Sequence, residues 1–240
     1  MNSHFTYLLV DLSVIFFPLL LSFTKRFYFI HLTKKFFISN VLVTLFFIIW
    51  DVYFTYQNVW SFNNKYVFGL YFFNLPIEEV IFFIAIPYAC TFSYFVISKF
   101  YDFSKVYKLT KYFYYSILII CFIVSLFYWR HKYTYTSFIL NNFFILFLIL
   151  RKEWILLQKF LFAYMFVLIF FILSNGVLTG SFFIAEPVVI YNPNEIIGVR
   201  IFNIPVEDFF YGMLLQYANY WTFEKLNINT KPKYQSFFTS

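Results

Sequence analysis

Apolar runs of about 20 residues recur along the whole sequence, separated by short polar or basic segments. Each run is as long as a helix needs to cross roughly 30 Å of hydrocarbon. Seven spans are predicted, near 5–23, 36–56, 76–97, 112–129, 137–150, 155–173 and 205–222. The fifth is short and is followed directly by Arg151 and Lys152. It must either begin earlier, near Tyr133, or send these side chains to the interface along their aliphatic stems. The pattern predicts an all-α fold, a polytopic membrane bundle of about seven helices.

Composition sharpens this reading. Of 240 residues, 62% are hydrophobic, 28% aromatic and only 12% charged, against roughly 25% charged in soluble domains. A water-soluble globule would lack the polar surface it needs. With five Gly, no Gly-x-Gly-x-x-Gly and no Gly-Lys-Ser/Thr, Rossmann and P-loop modules are excluded. Cys90 and Cys121 sit in apolar runs without ligand spacing, and His4, His31 and His131 read as solvated. The net charge of +7 is a matter of topology, with no nucleic acid implied. Alternate connections carry Lys25, Arg26, Lys34 and Lys35, then Lys99, Lys105, Lys108 and Lys111, then Arg151 and Lys152, and finally Lys225, Lys231 and Lys233. The opposite side carries Lys65, Arg130, Lys132 and Arg200, and Lys159 falls inside the sixth span. By the positive-inside rule the chain is an integral protein of the cytoplasmic membrane, N-terminus outside and C-terminus cytoplasmic. The first residues lack a basic n-region and a small-x-small cleavage site, so the first helix is expected to stay.

An internal repeat organises the chain. Gly69 to Glu79 reads GLYFFNLPIEE, and Gly198 to Asp208 reads GVRIFNIPVED, with five of eleven positions identical. Upstream, Asp51-x-x-x-Thr55 matches Asn175-x-x-x-Thr179. Spans 1–3 thus correspond to spans 5–7, and the fourth restores the orientation, giving a 3+1+3 parallel repeat. The expected divisions are 1–97 for the first three-helix unit, 98–132 for a basic loop and linker helix, 133–224 for the second unit and 225–240 for a polar tail.

Asp51, Glu78, Glu79, Glu207 and Asp208 lie at or just inside span ends on the predicted outer side. Carboxylates in apolar segments are costly unless paired or neutralised, so they suggest a functional site. The plainer reading is helix-start chemistry: Asn74 or Asn203 caps, Pro sets φ, and one acid meets the helix N-terminus. Capping needs one acid, however, and each copy has two. If the copies pack about an axis along the membrane normal, one acid of each pair, Glu78 and Glu207 or else Glu79 and Asp208, faces that axis, because adjacent helical residues point about 100° apart. A proton retained in a dry pocket is what general acid catalysis requires. Asn175, Thr179, Tyr191, Arg200 and Asn219 are further polar residues near that face. Arg200 could hold one acid ionised or reach for the interface, and Asp11, with no repeat partner, fits a wet interfacial zone as well as a site. Aromatic residues lining the interior could stabilise a cation where water is excluded.

Phe73-Asn74-Leu75-Pro76-Ile77-Glu78-Glu79-Val80-Ile81-Phe82-Phe83 resembles the first motif of the small, flavin-independent membrane lycopene cyclases, and Pro205-Val206-Glu207-Asp208-Phe209 looks like the second. Ser174-Asn175-Gly176-Val177-Leu178-Thr179, Pro187-Val188-Val189-x-Tyr191 and Gly198-Val199-Arg200 are similar to that family's second-subunit signature, and Phe16 to Phe23 to its opening helix. The likeness covers nearly the whole chain. It implies a redox-neutral isomerisation in carotenoid biosynthesis that closes the ψ ends of lycopene into β-ionone rings, giving γ-carotene and then β-carotene, with no cofactor needed. It implies Glu78, Glu79, Glu207 and Asp208 as the acid/base set, with Asp51, Asn175 and Arg200 in support. The expected partners are lycopene and the lipid bilayer, with room for other carotenoid-pathway enzymes. The rival from another class is a small-solute transporter, since 3+1+3 parallel repeats also describe sugar carriers. Cyclisation of a related linear carotene stays close to the main reading. A retinal protein is excluded by the lack of Lys between Pro205 and Thr222.

Overall fold

The computed structural model describes residues 4–100 and 106–228. Among them lie seven α-helices: α1 (Thr6–Ser22), α2 (Thr33–Tyr56), α3 (Ile77–Phe100), α4 (Tyr107–Phe127), α5 (Lys132–Leu150), α6 (Trp154–Leu178) and α7 (Val206–Ile228). The protein is an all-α membrane bundle. Each predicted span falls on one helix, and the short fifth span begins at Lys132. Lys105, Lys231, Lys233 and the tail beyond residue 228 lie outside the described residues.

Among the described residues, five helical stretches are long and apolar enough to cross a membrane: Phe29–Tyr56, α3, α4, α5 and α6. α1 is apolar but has 17 residues. α7 is the least apolar, and its position explains why. It packs against α2, α3, α5 and α6, so Glu207, Asp208, Gln216 and Asn219, all buried, meet protein rather than lipid. A segment inside a bundle need not be apolar on every side. α4, by contrast, packs chiefly on α5 and α6 and meets α7 through the Tyr114 and Tyr217 rings, 6.2 Å apart.

The packing repeats along the chain. α1 lies on α3 and α5 on α7, while α2 crosses to α7 and α6 crosses to α3. The loops after α2 and α6 meet as strands β1 (Trp60–Phe62) and β4 (Val189–Tyr191), with antiparallel pairs Trp60↔Tyr191, Ser61↔Ile190 and Phe62↔Val189. Each copy then folds a two-residue hairpin, Tyr71–Phe72 with Leu75–Pro76 (β2, β3) and Arg200–Ile201 with Ile204–Pro205 (β5, β6). Phe73 and Phe202 take φ of 55° and 54° in the two turns, and Gly69 and Gly198 take 92° and 86° just before them. A Cβ at either glycine would meet nothing within 4 Å, so the backbone angle alone asks for glycine there. The prolines end the hairpins and the helices start at once. Ile77 N donates to Leu70 O at 2.8 Å and Val206 N to Val199 O at 3.0 Å. Asn74 and Asn203 do not cap these helices: their side chains donate to Val52 O and Gly180 O, tying each hairpin to the preceding helix end.

Lys65 and Glu186 bridge the loops after α2 and α6 at 2.8 Å. Hydrogen bonds from Lys65 and Asn63 hold the Glu186 carboxyl below its ordinary range, and Glu186 holds the Lys65 ammonium above its own. The Glu186 contribution is present above its unfolded pKa and lost as pH falls through the lower folded value. The Lys65 contribution is lost as pH rises through its raised folded value. Both groups are exposed and screened. Thermal melts of Glu186→Gln in detergent are therefore expected to overlay the wild type across roughly pH 5–9; a separation of several degrees would mean the bridge holds the loops together.

Candidate active site

The acidic residues among those described divide by partner. Glu153, Glu186, Glu195 and Glu224 each meet a lysine: Lys225, Lys65, Lys132 at 3.5 Å and Lys159 at 3.2 Å. Lys159, which the sequence placed within a span, is thus held near the basic end of the bundle. Asp11, Asp51, Glu78, Glu79, Glu207 and Asp208 are all buried and have no ion-pair partner among the described residues. Six carboxyls without a counter-ion in a low-dielectric interior cannot all be charged; they need protons or neutral donors.

The helix starts split each pair of adjacent acids. Glu78 accepts from Phe68 N at 2.6 Å, and Glu207 from Ile197 N at 2.7 Å and Thr134 Oγ1 at 2.6 Å. These acids look back into the loop before the helix, and neither lines the large cavity described below. Glu79 and Asp208, one residue on, turn inward. Tyr7 OH donates to Glu79 at 2.5 Å and Tyr133 OH to Asp208 at 2.7 Å, each from the first helix of its copy.

The second-helix partner differs between copies. Asn175 Nδ2 donates to Asp208 at 2.8 Å, and Tyr191 OH adds a third donor at 2.8 Å. Burial and the adjacent carboxylate push the Tyr191 hydroxyl well above its ordinary range, so it stays a donor. In the first copy the residue matching Asn175 is Asp51, and its carboxyl lies beside that of Glu79 on the same cavity wall. Tyr211 OH donates to Asp51 at 2.7 Å. Two neighbouring carboxylates are acceptors only and repel each other in a dry site, so such a pair is eased by a proton on one of them. Three neutral donors thus reach Asp208, whereas Glu79 and Asp51 each accept from one tyrosine.

Both halves face one cavity of about 640 Å³, lined by Asp51, Glu79 and Asp208 at one end and by apolar residues of α1, α3 and α6 elsewhere. Trp60, Tyr133, Tyr191 and Tyr211 surround the acids, with Trp60–Tyr133 centroids 5.0 Å apart and Tyr133–Tyr191 stacked at 5.9 Å. The cavity's α1 and α6 walls include Phe17 and Phe170, which are exposed on the bundle surface. Such a volume suits a drug-sized or larger apolar ligand.

Arg200 lies outside this arrangement. It is exposed, donates to Asn203 O at 2.6 Å and sits 5.9 Å from the centre of the Tyr191 ring, touching no acid. Thr179 bonds back to Asn175 O, and Asn219 accepts from Asn40 at 3.0 Å, deeper in the bundle. Asp11 is fully buried with both oxygens unpartnered, so it does not lie in a wet interface. His4 and His31 are exposed and His131 is half-buried. No cluster that could hold a metal occurs among the described residues, and Cys90 and Cys121 are free and buried. Tyr7, Tyr133 and Tyr211 escaped sequence reasoning because 22 tyrosines look alike in an aromatic-rich chain. For Tyr7 and Tyr133 the signal was the repeat itself, in which they occupy matching places in spans 1 and 5.

Fold and cavity define an integral-membrane helical protein with a buried carboxyl cluster on the wall of a largely apolar pocket. A family model for lycopene cyclase matches two stretches of the chain, residues 4–97 and 131–226, and the chain belongs to the lycopene cyclase family. The unmatched segment between them contains α4. No curated protein and no solved structure matches the chain. Family membership gives the protein a role in carotenoid cyclisation, on a substrate dissolved in the membrane.

Proposed function

We propose that the protein is a lycopene β-cyclase that closes ψ ends of lycopene into β-ionone rings by acid/base chemistry alone. The observation that carries this reading is the cluster of Asp51, Glu79 and Asp208, buried without an ion-pair partner among the described residues on the wall of a largely apolar cavity. The Asp51–Glu79 pair delivers its shared proton to C2 of the terminal C1=C2 alkene. The C1 cation is attacked by the C5=C6 double bond, forming the C1–C6 bond and leaving a cation at C5. Asp208 removes the C6 proton, and the new C5=C6 bond completes the ring. One proton enters and one leaves, so the product is an isomer and no electron carrier is consumed. Faces of Trp60, Tyr133, Tyr191 and Tyr211 favour a transient cation by about 0.5–2 kcal/mol each, and the dry cavity keeps water from trapping it. Glu78 and Glu207 have a different part, fixing the loops that aim Glu79 and Asp208.

The proposal includes the division into units 1–97 and 133–224 joined by 98–132, supported by the matching hydrogen bonds of the two hairpins. It also includes the orientation, with the acid end outside, supported by the basic residues flanking the opposite end. The test is expression in cells that accumulate lycopene, with the pigments resolved chromatographically. γ-Carotene and β-carotene are expected, and unchanged lycopene beside inserted protein would refute the reading.

A further inference from the structure

The bundle has a second groove, of about 480 Å³ and wholly apolar, between α2, α5 and α7. It is the repeat counterpart of the catalytic one. Aligning α2 with α6 through Asp51 and Asn175 places Leu42, Val43, Phe46 and Phe47 on Phe166, Val167, Phe170 and Phe171; the first four line the second groove and the last four line the first. Aligning α5 with α1 through Tyr133 and Tyr7 places Phe143 and Phe147 on Phe17 and Leu21, with the same outcome. Two related grooves thus approach one acid cluster, and only one reaches it.

The difference lies at two positions. Where the catalytic groove passes Ser174 and Gly212, the matching residues of the other copy are Trp50 and Phe83, both buried. Trp50 packs 5.1 Å from the Tyr211 ring, whose hydroxyl holds Asp51. Phe47, from the floor of the second groove, lies 5.6 Å from Trp50 and 6.0 Å from Phe83. These three rings form a wall between the second groove and the acids. On the open side a Cβ added at Gly212 would meet only Tyr164 OH at 3.7 Å and Phe171 at 3.8 Å, both cavity-lining residues. A side chain there would grow into the passage.

We propose that Trp50 and Phe83 close one of two repeat-related grooves and that Ser174 and Gly212 open the other, so that a linear polyene end reaches the acids only from between α1 and α6. The inference rests on the proposed function and specifies the substrate path of the same site. A ring at residue 212 or 174 recreates in the open groove the wall that shuts the closed one. A larger residue in the closed groove obstructs nothing, because no substrate passes there.

The experiment compares Gly212→Phe, Ser174→Trp and Ala218→Phe, the last on the α7 wall of the closed groove, in lycopene-accumulating cells. Two quantities are read per mole of protein purified in detergent: polyene bound, by its visible absorbance, and cyclised product. Gly212→Phe and Ser174→Trp are expected to lose tenfold or more of the bound polyene, whereas Ala218→Phe keeps it within about twofold. Helical circular dichroism and a single elution peak show which variants fold, and either blocking variant alone decides the matter. The inference is overturned if a folded blocking variant binds polyene like the wild type, if Ala218→Phe loses as much as the blocking variants, or if the wild type binds none. Because binding is read separately from turnover, a wild type that binds polyene without cyclising it would refute the proposed reaction and leave the substrate path standing.

Discussion

Glu79→Gln is expected to lower ring formation by about 10²–10⁴-fold, the range lost when a positioned general acid is removed. The substitution is isosteric and leaves an oxygen to accept from Tyr7 OH, so the hydrogen bond between α1 and α3 survives. What it removes is a proton that can leave, since an amide nitrogen does not supply one at any working pH. The contrast with its neighbour is the sharper part of the test. Glu78 is as fully buried as any acid in the bundle, yet its oxygen serves Phe68 N in the loop before the helix. Glu78→Ala strands that amide and is expected to cost about 1–3 kcal/mol of stability, read as a lower thermal midpoint in detergent, while each folded molecule still cyclises. Pigment turnover per mole of inserted protein measures both effects. Turnover of Glu79→Gln within tenfold of wild type, or loss of turnover in a stable Glu78→Ala, would reverse the assignment of the two acids.

That assignment could not be read from the sequence. Adjacent acids after a proline predict that one of each pair turns inward without saying which. The answer depends on the hairpin turned by Phe73 and Phe202, whose positive φ values set the angle at which α3 and α7 begin. The spans were legible because lipid imposes composition on any helix it touches. α7 was legible through its repeat motif despite weaker hydropathy, since its neighbours are helices. Asp11 could not be placed, because a lone acid in an apolar run looks the same whether it is wetted or sealed. Arg200, read as a charge near the second motif, reaches the outer side of the Tyr191 ring instead; a two-strand hairpin points alternate side chains to opposite faces, and proximity in sequence to Glu207 carried no information about direction. The pairing of Asp51 with Glu79 was within reach, because the alignment with Asn175 already stated that the two copies differ by one atom type at that position.

That single difference gives the second large effect. Asp51→Asn makes the first copy chemically like the second. The new amide can donate to Glu79 as Asn175 donates to Asp208, and Glu79, now served by Tyr7 and the amide, no longer shares a proton with a second carboxyl. Cyclisation is expected to fall by about 10²–10⁴-fold, while the cavity keeps its shape and polyene binding stays within about twofold. The reverse change, Asn175→Asp, places two carboxyls side by side at Asp208 and removes one of its neutral donors. A base that must share a proton is a poor base, so turnover is expected to fall here as well, but by failure to deprotonate. The two variants differ in their response to deuterated solvent. The proton added at C2 comes from the enzyme and hence from solvent, whereas the proton lost from C6 comes from the substrate. With donation limiting in Asp51→Asn, a solvent isotope effect well above the wild-type value is expected; with C6–H cleavage limiting in Asn175→Asp, the solvent effect stays small and a C6-deuterated substrate slows the reaction instead. Equal isotope behaviour in the two variants would mean that the copies are chemically interchangeable and that the proton is not stored on the Asp51 side.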